Sequence, residues 1–230
     1  MKDTLRTIRR RIRWILGRDI FFYPSVKIGL ESHGSSYGGW VLREGSLDRN
    51  STVYSFGIGL DISFDLSVIS KYGCTVHAFD PTPKAIEYVK SQCPPANLIV
   101  HALGLSNTDG MGSLFLPKNE QYVSASIEKD SSKGDSISVQ FSTLKTIMKE
   151  LGHARIDYLK MDIEGAEYAV VSDMHDQNLF SCITQLAIEF HHRFAINGME
   201  RTRNAVSTIT SNGFRLAWVS ASGEEFLFVR

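Results

Sequence analysis

The sequence predicts an α/β fold: a doubly wound, mostly parallel sheet closed by a C-terminal antiparallel hairpin. Three observations predict it. From residue 51 onward, short β-branched and aromatic runs alternate with segments of helical period, and parallel strands require such crossovers. Glycine or aspartate follows directly on several of the strand-like runs, where a strand-to-helix turn belongs. The last two strand-like runs are separated only by Ser220-Ala221-Ser222-Gly223, a hairpin connection.

Residues 1–18 come first in chain order. Lys2, Arg6, Arg9, Arg10, Arg11, Arg13 and Arg18 crowd this stretch, with Leu5, Ile8, Ile12, Ile15 and Leu16 between them at helical spacing. Such a basic amphipathic helix either packs its apolar stripe on the domain, the usual arrangement and the one expected, or lies on an anionic membrane surface. Residues 19–50 are rich in Gly, Ser and aromatics and contain Tyr37-Gly38-Gly39-Trp40; they read as a lead-in or lid rather than a regular element. Residues 51–230 form the principal domain.

Within that domain Thr52–Phe56 is a β-branched and aromatic strand that ends abruptly at Gly57. Ser63–Tyr72 carries Phe64, Val68, Ile69 and Tyr72 at helical spacing. Thr75–Phe79 is the second strand, residues 83–92 the second helix with Pro83 in its first turn, and residues 98–102 the third strand. Residues 104–137 are polar, Ser- and Gly-rich and without helical period. They read as a long excursion with one short strand near 113–116, and loops of that length are usually functional. A helix over 142–151 with Ser142 as its N-cap, a fourth strand at Ile156–Met161, a helix over 165–174 and a fifth strand at 183–190 follow. The helix over 199–211 stops at Asn212-Gly213, and 214–219 with 225–229 form the closing hairpin.

The composition limits the partners. Lys plus Arg equals Asp plus Glu at 25 each, so no global field favours a polyanion, and outside the first helix the chain is net acidic. Nucleic-acid recognition is therefore not expected. Three cysteines, Cys74, Cys93 and Cys182, form no C-x-x-C pair, which points to neither a disulfide framework nor a zinc site. No apolar run approaches the roughly 18 residues of a membrane span, and the charged N-terminus lacks a secretory core. The expected location is cytoplasmic, peripheral at a membrane if the first helix binds one.

In a doubly wound sheet ligands bind beyond the carboxyl ends of the strands, so the residues just after each strand carry the chemistry. The first strand is followed by Gly57-Ile58-Gly59-Leu60-Asp61, whose glycines allow a tight turn and close approach of a ligand. The second ends at Phe79-Asp80-Pro81, and Asp80 stands about 20 residues beyond the glycines, the spacing at which a carboxylate reaches the hydroxyls of a bound ribose. A dinucleotide fits poorly: Ile62 replaces the third glycine of the pyrophosphate fingerprint, and Asp61 puts negative charge where phosphates would sit. The same charge suits a cationic adenosine ligand, and the sulfonium and amino groups of S-adenosylmethionine are cationic. After the fourth strand comes Lys160-Met161-Asp162-Ile163-Glu164-Gly165-Ala166-Glu167, in which an extended chain points Lys160, Asp162 and Glu164 one way. The fifth strand ends in Glu189-Phe190-His191-His192, so Asp162, Glu164, Glu189, His191 and His192 are expected to converge on one mouth.

These residues resemble the FkbM-type class I methyltransferases, and more nearly a methyltransferase-like subgroup with Tyr-Gly-Gly-Trp before a Tyr-Ser-Phe-Gly strand. The resemblance rests on residues 37–40, 53–65, 76–83, 102–110, 156–167 and 189–192, with the Lys-x-Asp-x-Glu-Gly-x-Glu segment the most specific. It implies a Rossmann-like methyltransferase fold. It also implies that Gly57 and Gly59 face S-adenosylmethionine, that Asp80 and Pro81 lie at its ribose, that Ala102, Leu103 and Gly104 lie near its adenine, and that Asp162 stands beside the transferred methyl. Two positions depart from the family pattern. Ser55 stands where an acid is usual, two residues before the first glycine, and Asp61 stands at the loop's second glycine; Asp61 is expected to hold the methionine amino group instead.

The family methylates hydroxyl groups, often on sugars or glycosylated small molecules. A hydroxyl needs a general base, for which Asp162 or His191 is expected, with Glu164 and Glu189 orienting the acceptor. A divalent ion at the Asp/Glu/His cluster is the less favoured alternative. Residues 19–50 and 104–137 are expected to build the acceptor pocket, where Trp40, Tyr37 and Tyr122 would stack on a sugar ring; a saccharide, a lipid-linked glycan and a small secondary metabolite all remain open. Two rivals stand beside this reading: an NAD(P)-dependent oxidoreductase on a Rossmann domain, which fits the glycines and Asp80 but not Ile62 or Asp61, and a non-catalytic binding protein that keeps the fold.

Overall fold

A computed structural model describes residues 2–117, 133–193 and 197–230. It begins with helix α1 (Lys2–Ile15), strands β1 (Leu30–His33), β2 (Trp40–Arg43) and β3 (Thr52–Phe56), and helix α2 (Ser63–Tyr72). Strand β4 (Thr75–Phe79), helix α3 (Pro83–Ser91) and strands β5 (Leu98–His101), β6 (Gly104–Leu105), β7 (Gly110–Pro117) and β8 (Lys133–Ser142) follow. The remainder is α4 (Leu144–Leu151), β9 (Ile156–Met161), α5 (Glu167–Asp176), β10 (Ile183–Glu189), α6 (Gly198–Ser211), β11 (Arg215–Val219) and β12 (Glu225–Val229).

The main sheet has the order β11-β12-β10-β9-β3-β4-β5. Strands β10, β9, β3, β4 and β5 are parallel, and β12 runs antiparallel to both β10 and β11. This is the doubly wound sheet closed by a terminal hairpin. The chain winds outward from β3 through β4 to β5, then returns to lay β9 on the other side of β3. The switch in strand order therefore falls between β3 and β9, where ligands bind in such sheets.

Alternation along the central strands divides the core. Tyr54, Phe56, Leu159 and Ile188 face one layer with α4, α5 and α6, while Val53, Val76, Tyr158 and Ala187 face the other with α2 and α3. Every residue of β9 is buried, as expected of a strand covered on both faces.

Four expectations about elements need correction. Residues 19–50 contain a regular element after all: β1 and β2 pair antiparallel, and Trp40, Leu42 and Leu47 join the α2–α3 face of the core. Residues 118–132 lie outside the described residues; the described part of the excursion forms a second sheet of order β6-β8-β7, not a loop with one short strand. Its physical signal is the alternation of Ile137, Val139 and Phe141 with Ser and Gln in β8; Val139 and Phe141 bury against Leu114 of β7. Because β8 runs to Ser142, the N-cap of α4 is Thr143, whose hydroxyl accepts the Thr146 N–H at 3.3 Å. Tyr122 lies outside the described residues.

The fourth correction concerns α1. Its apolar stripe does not pack on the domain: Leu5, Ile8, Ile12, Ile15 and Leu16 are all exposed. What docks is Arg10, only 5% exposed, whose Nη1 donates to the Ser220 carbonyl at 2.8 Å and whose guanidinium lies over Phe21. The helix stops at Gly17, which takes a φ of 69°.

Candidate active site

A cavity of about 360 Å³ opens at the carboxyl ends of β3, β4 and β9. The β3–α2 turn forms its floor. Gly57 adopts a φ of 77°, and a Cβ there would strike the Asp162 carbonyl oxygen, so only glycine fits where the two strand ends meet. The turn is stitched on three sides: Gly57 N–H donates to Phe79 O (2.9 Å), Asp162 N–H to Phe56 O (3.1 Å), and Gly59 N–H to Asp80 Oδ2 (3.0 Å). The other Asp80 oxygen accepts from Thr82 N–H and the Thr82 hydroxyl, at 2.9 and 2.6 Å. A carboxylate has about four acceptor sites, so Asp80, which lines the cavity, retains acceptor capacity towards a pair of hydroxyls.

Beneath the floor lies Lys160, 5% exposed, its ammonium donating to Gly57 O (2.8 Å) and Phe56 O (3.2 Å) and lying over the Trp40 ring. These bonds hold the glycine turn to β9. Asp65 of α2 is buried close by, and burial pushes its carboxyl up to about 6 against the pull of Lys160. Lys160 thus points under the loop, not out of the strand end beside Asp162 and Glu164. Glu164 itself leaves the extended conformation, with a φ of 49°, uncommon for a residue with a side chain.

His191 is the hub of the mouth. Its Nε2 lies 3.4 Å from Glu164 Oε2, 3.7 Å from Asp162 Oδ1 and 4.0 Å from Glu189 Oε1. Its Nδ1 lies 3.5 Å from Oε1 of Glu167, a carboxylate with no exposed surface. Glu167 is fixed by two backbone donors, Gly165 N–H (2.7 Å) and His191 N–H (2.8 Å). It thereby ties the turn before α5 to the end of β10. Burial alone would lower the His191 pKa, but contact with Glu167 and the charges of Glu167, Glu164 and Asp162 outweigh it and raise it to about 10. His191 is therefore an imidazolium at neutral pH. Burial, with the Asp162 charge second, pushes Glu189 up to about 9 despite His191, so Glu189 keeps its proton. Burial also raises Asp162; Lys160 and His191 oppose the rise, while Glu164 and Glu167 add to it.

Asp61 is ionised and already engaged. Burial would raise its pKa, but bonds from the Ser35 hydroxyl (2.6 Å) and the Ser63 N–H (2.8 Å) hold it below the usual range. It ties the turn before β2 to the glycine loop. The cavity carries six carboxyl groups, on Asp61, Asp80, Asp162, Glu164, Glu189 and Glu225, against the cations Lys160 and His191.

Residues 53–216 match the family model described as the methyltransferase FkbM domain. The chain belongs to this FkbM family. The matched span includes most of the stretches that carry the resemblance; residues 37–40 lie outside it. A human relative, probable methyltransferase-like protein 24, is 28% identical over 145 residues, which are 63% of this chain and 33% of that protein. Its rat counterpart is 28% identical over 156 residues, 66% of this chain and 37% of the relative. The chain thus spans about a third of the length of these curated relatives. Among solved structures, the fibrillarin of Aeropyrum pernix in complex with natively bound S-adenosyl-L-methionine is similar over 81% of this chain and 68% of its own, at 9% identity and a TM-score of 0.44.

Within this FkbM domain, Gly57, Gly59, Asp61, Asp80, Pro81, Leu103, Gly104 and Asp162 of the expected cofactor set line the cavity, as do Glu164, Glu189 and His191. Two expected residues do not. Ser55 is buried within β3, and Ala102 is exposed outside the lining. His192 also turns away from the mouth, its Nε2 3.2 Å from Asp19 Oδ1. Three contributors escaped the sequence reading in their actual roles: Lys160 under the loop, Glu167 behind His191, and Phe141, against which Gly104 packs so closely that a Cβ would lie 2.6 Å from its ring. The period-two pattern of β8 would have revealed Phe141; a buried lysine inside a strand has no comparable signal.

Proposed function

We propose that the chain is an S-adenosylmethionine-dependent methyltransferase acting on a hydroxyl group, borne by a sugar, a glycan or a glycosylated small molecule. The observation that carries this reading is the cavity at the strand-order switch: a glycine floor, Asp80 at ribose spacing, and a mouth with more carboxyl groups than cations. The rim at Asp61 and Asp162 suits a positively charged donor and disfavours a pyrophosphate, which counts against the NAD(P) oxidoreductase.

When bound, S-adenosylmethionine supplies an electrophilic methyl group on a sulfonium and leaves as a neutral thioether. The chain must hold the acceptor in line and take its proton. Asp162 is the favoured base. His191, already protonated, has no free lone pair on Nε2, whereas Asp162 at the strand end has a pKa raised above the ordinary value, chiefly by burial, and is a correspondingly stronger base when ionised. Protonated Glu189 donates a hydrogen bond to the acceptor, and Glu164 accepts one. Tyr37, exposed at the cavity, offers a ring face to a saccharide, whereas Trp40, expected to do the same, is buried in the core with Lys160 over its ring.

Ligand atoms of Asp162, Glu164 and His191 all lie within 4.8 Å of one another, a spacing that also admits a divalent ion. A reaction that needs no metal remains the favoured reading, and full activity in EDTA is expected. The main test is transfer of labelled methyl from S-adenosylmethionine to a panel of saccharides and glycosylated lipids. Asp162→Asn is expected to lower kcat about 10²–10⁴-fold, with a smaller loss of donor affinity from the removed rim charge. A variant as active as the parent removes Asp162 from the mechanism.

A further inference from the structure

Helix α1 is docked by its polar side. Arg10 lies roughly 180° around the helix from the centre of the stripe formed by Leu5, Ile8, Ile12 and Ile15. It is Arg10 that enters the domain, against Ser220 O and the Phe21 ring. The stripe faces outward, with Ile8 49%, Ile12 52% and Ile15 74% exposed. A helix that needed only to cap the core would be turned over. Arg9 and Arg11 flank the stripe, Arg6, Arg13 and Arg18 are exposed beside them, and the sequence of residues 2–18 holds a single acid, Asp3.

We propose that the outward face of α1 binds an anionic lipid surface. Apolar side chains enter the acyl boundary while flanking arginines reach lipid phosphates. Charge excludes the simplest competitor: a second copy laid on the same face would bring two arginine-rich helices together. No described helix is long and apolar enough to cross a membrane, so α1 lies on the surface and does not span it.

The docking sets the geometry of the bound domain. Arg10 grips the β11–β12 connection, which lies at the carboxyl ends of the parallel strands and leads into Glu225 at the cavity. Asp19, which follows the helix, meets His192 and Arg193, next to His191. With the domain on one side of α1 and lipid on the other, the cavity-bearing edge of the sheet is the side nearest the membrane.

The test is flotation of the full chain with phosphatidylcholine vesicles, with and without phosphatidylserine. The chain is expected to float with the anionic vesicles, to be released by salt, and to stay in solution with neutral ones. Ile8→Glu/Ile12→Glu should reduce partition at least tenfold with an unchanged Tm, since both side chains are exposed. Arg9→Glu/Arg11→Glu should do the same while leaving the stripe intact. Equal partition onto neutral vesicles, or partition indifferent to both variants, overturns the proposal. So does a dimer in solution that Ile8→Glu/Ile12→Glu dissociates, which assigns the face to a second copy. None of these readouts depends on methyl transfer.

Discussion

A buried carboxylate placed beside a histidine alters the charge state of both, and Glu167 and His191 are such a pair. Burial would raise the Glu167 pKa, but His191 holds it below its ordinary value, while His191 rises to about 10. His191 is raised above its unfolded value of 6.5, so its contribution to stability is fully present below pH 6.5 and is lost as pH rises through about 10. Glu167→Gln keeps the shape and removes the charge. It should bring the His191 pKa down towards 6.5 and cost about 1–3 kcal/mol at neutral pH, because two backbone donors lose a charged acceptor. An NMR titration of His191 and a urea melt check both; an unmoved His191 pKa would contradict this account. Residue types after strand ends made Asp162, Glu189 and His191 legible in the sequence. What Glu167 does was not legible, because the contact joins the start of α5 to the end of β10, and only the fold brings them together.

At the scale of elements, the parallel strands were readable because each is short, β-rich and followed by a turn residue. The paired strands outside the main sheet were not. β1 and β2 have four residues each, and β8 hid its alternation among serines. The β3–β4–β5 layer also carries a polar cluster whose roles sequence could not assign. His77 Nδ1 lies 3.1 Å from His101 Nε2, and the Tyr54 hydroxyl lies 2.7 Å from His153 Nδ1. Burial, then the nearby His153 and His101, lower His77 to about 4. A histidine whose folded pKa is depressed stabilises the fold fully above pH 6.5 and loses that contribution as pH falls through about 4. The shift corresponds to roughly 3 kcal/mol at most. His77→Phe should remove this component: the drop in urea midpoint between pH 7 and pH 4 should be smaller in the variant than in the parent. Parallel curves would contradict it.

Seen whole, the molecule is neutral in sum and sharply divided in charge, with 25 residues of each sign. Arginine collects on α1, and carboxyl groups collect at the cavity on the same edge of the sheet. Net charge hid this division in the composition; the basic cluster of residues 1–18 was visible as a motif, but not which side of the helix would face outward. The central claim is that the cavity at the β3–β9 switch binds a cationic adenosine donor through Asp80 and the glycine floor. Calorimetry on the full chain with S-adenosylmethionine tests it most directly. One site is expected, weakened about tenfold or more by Asp80→Ala, with no measurable binding of NAD. Absence of binding by both S-adenosylmethionine and S-adenosylhomocysteine, or tighter binding of NAD, would contradict the account.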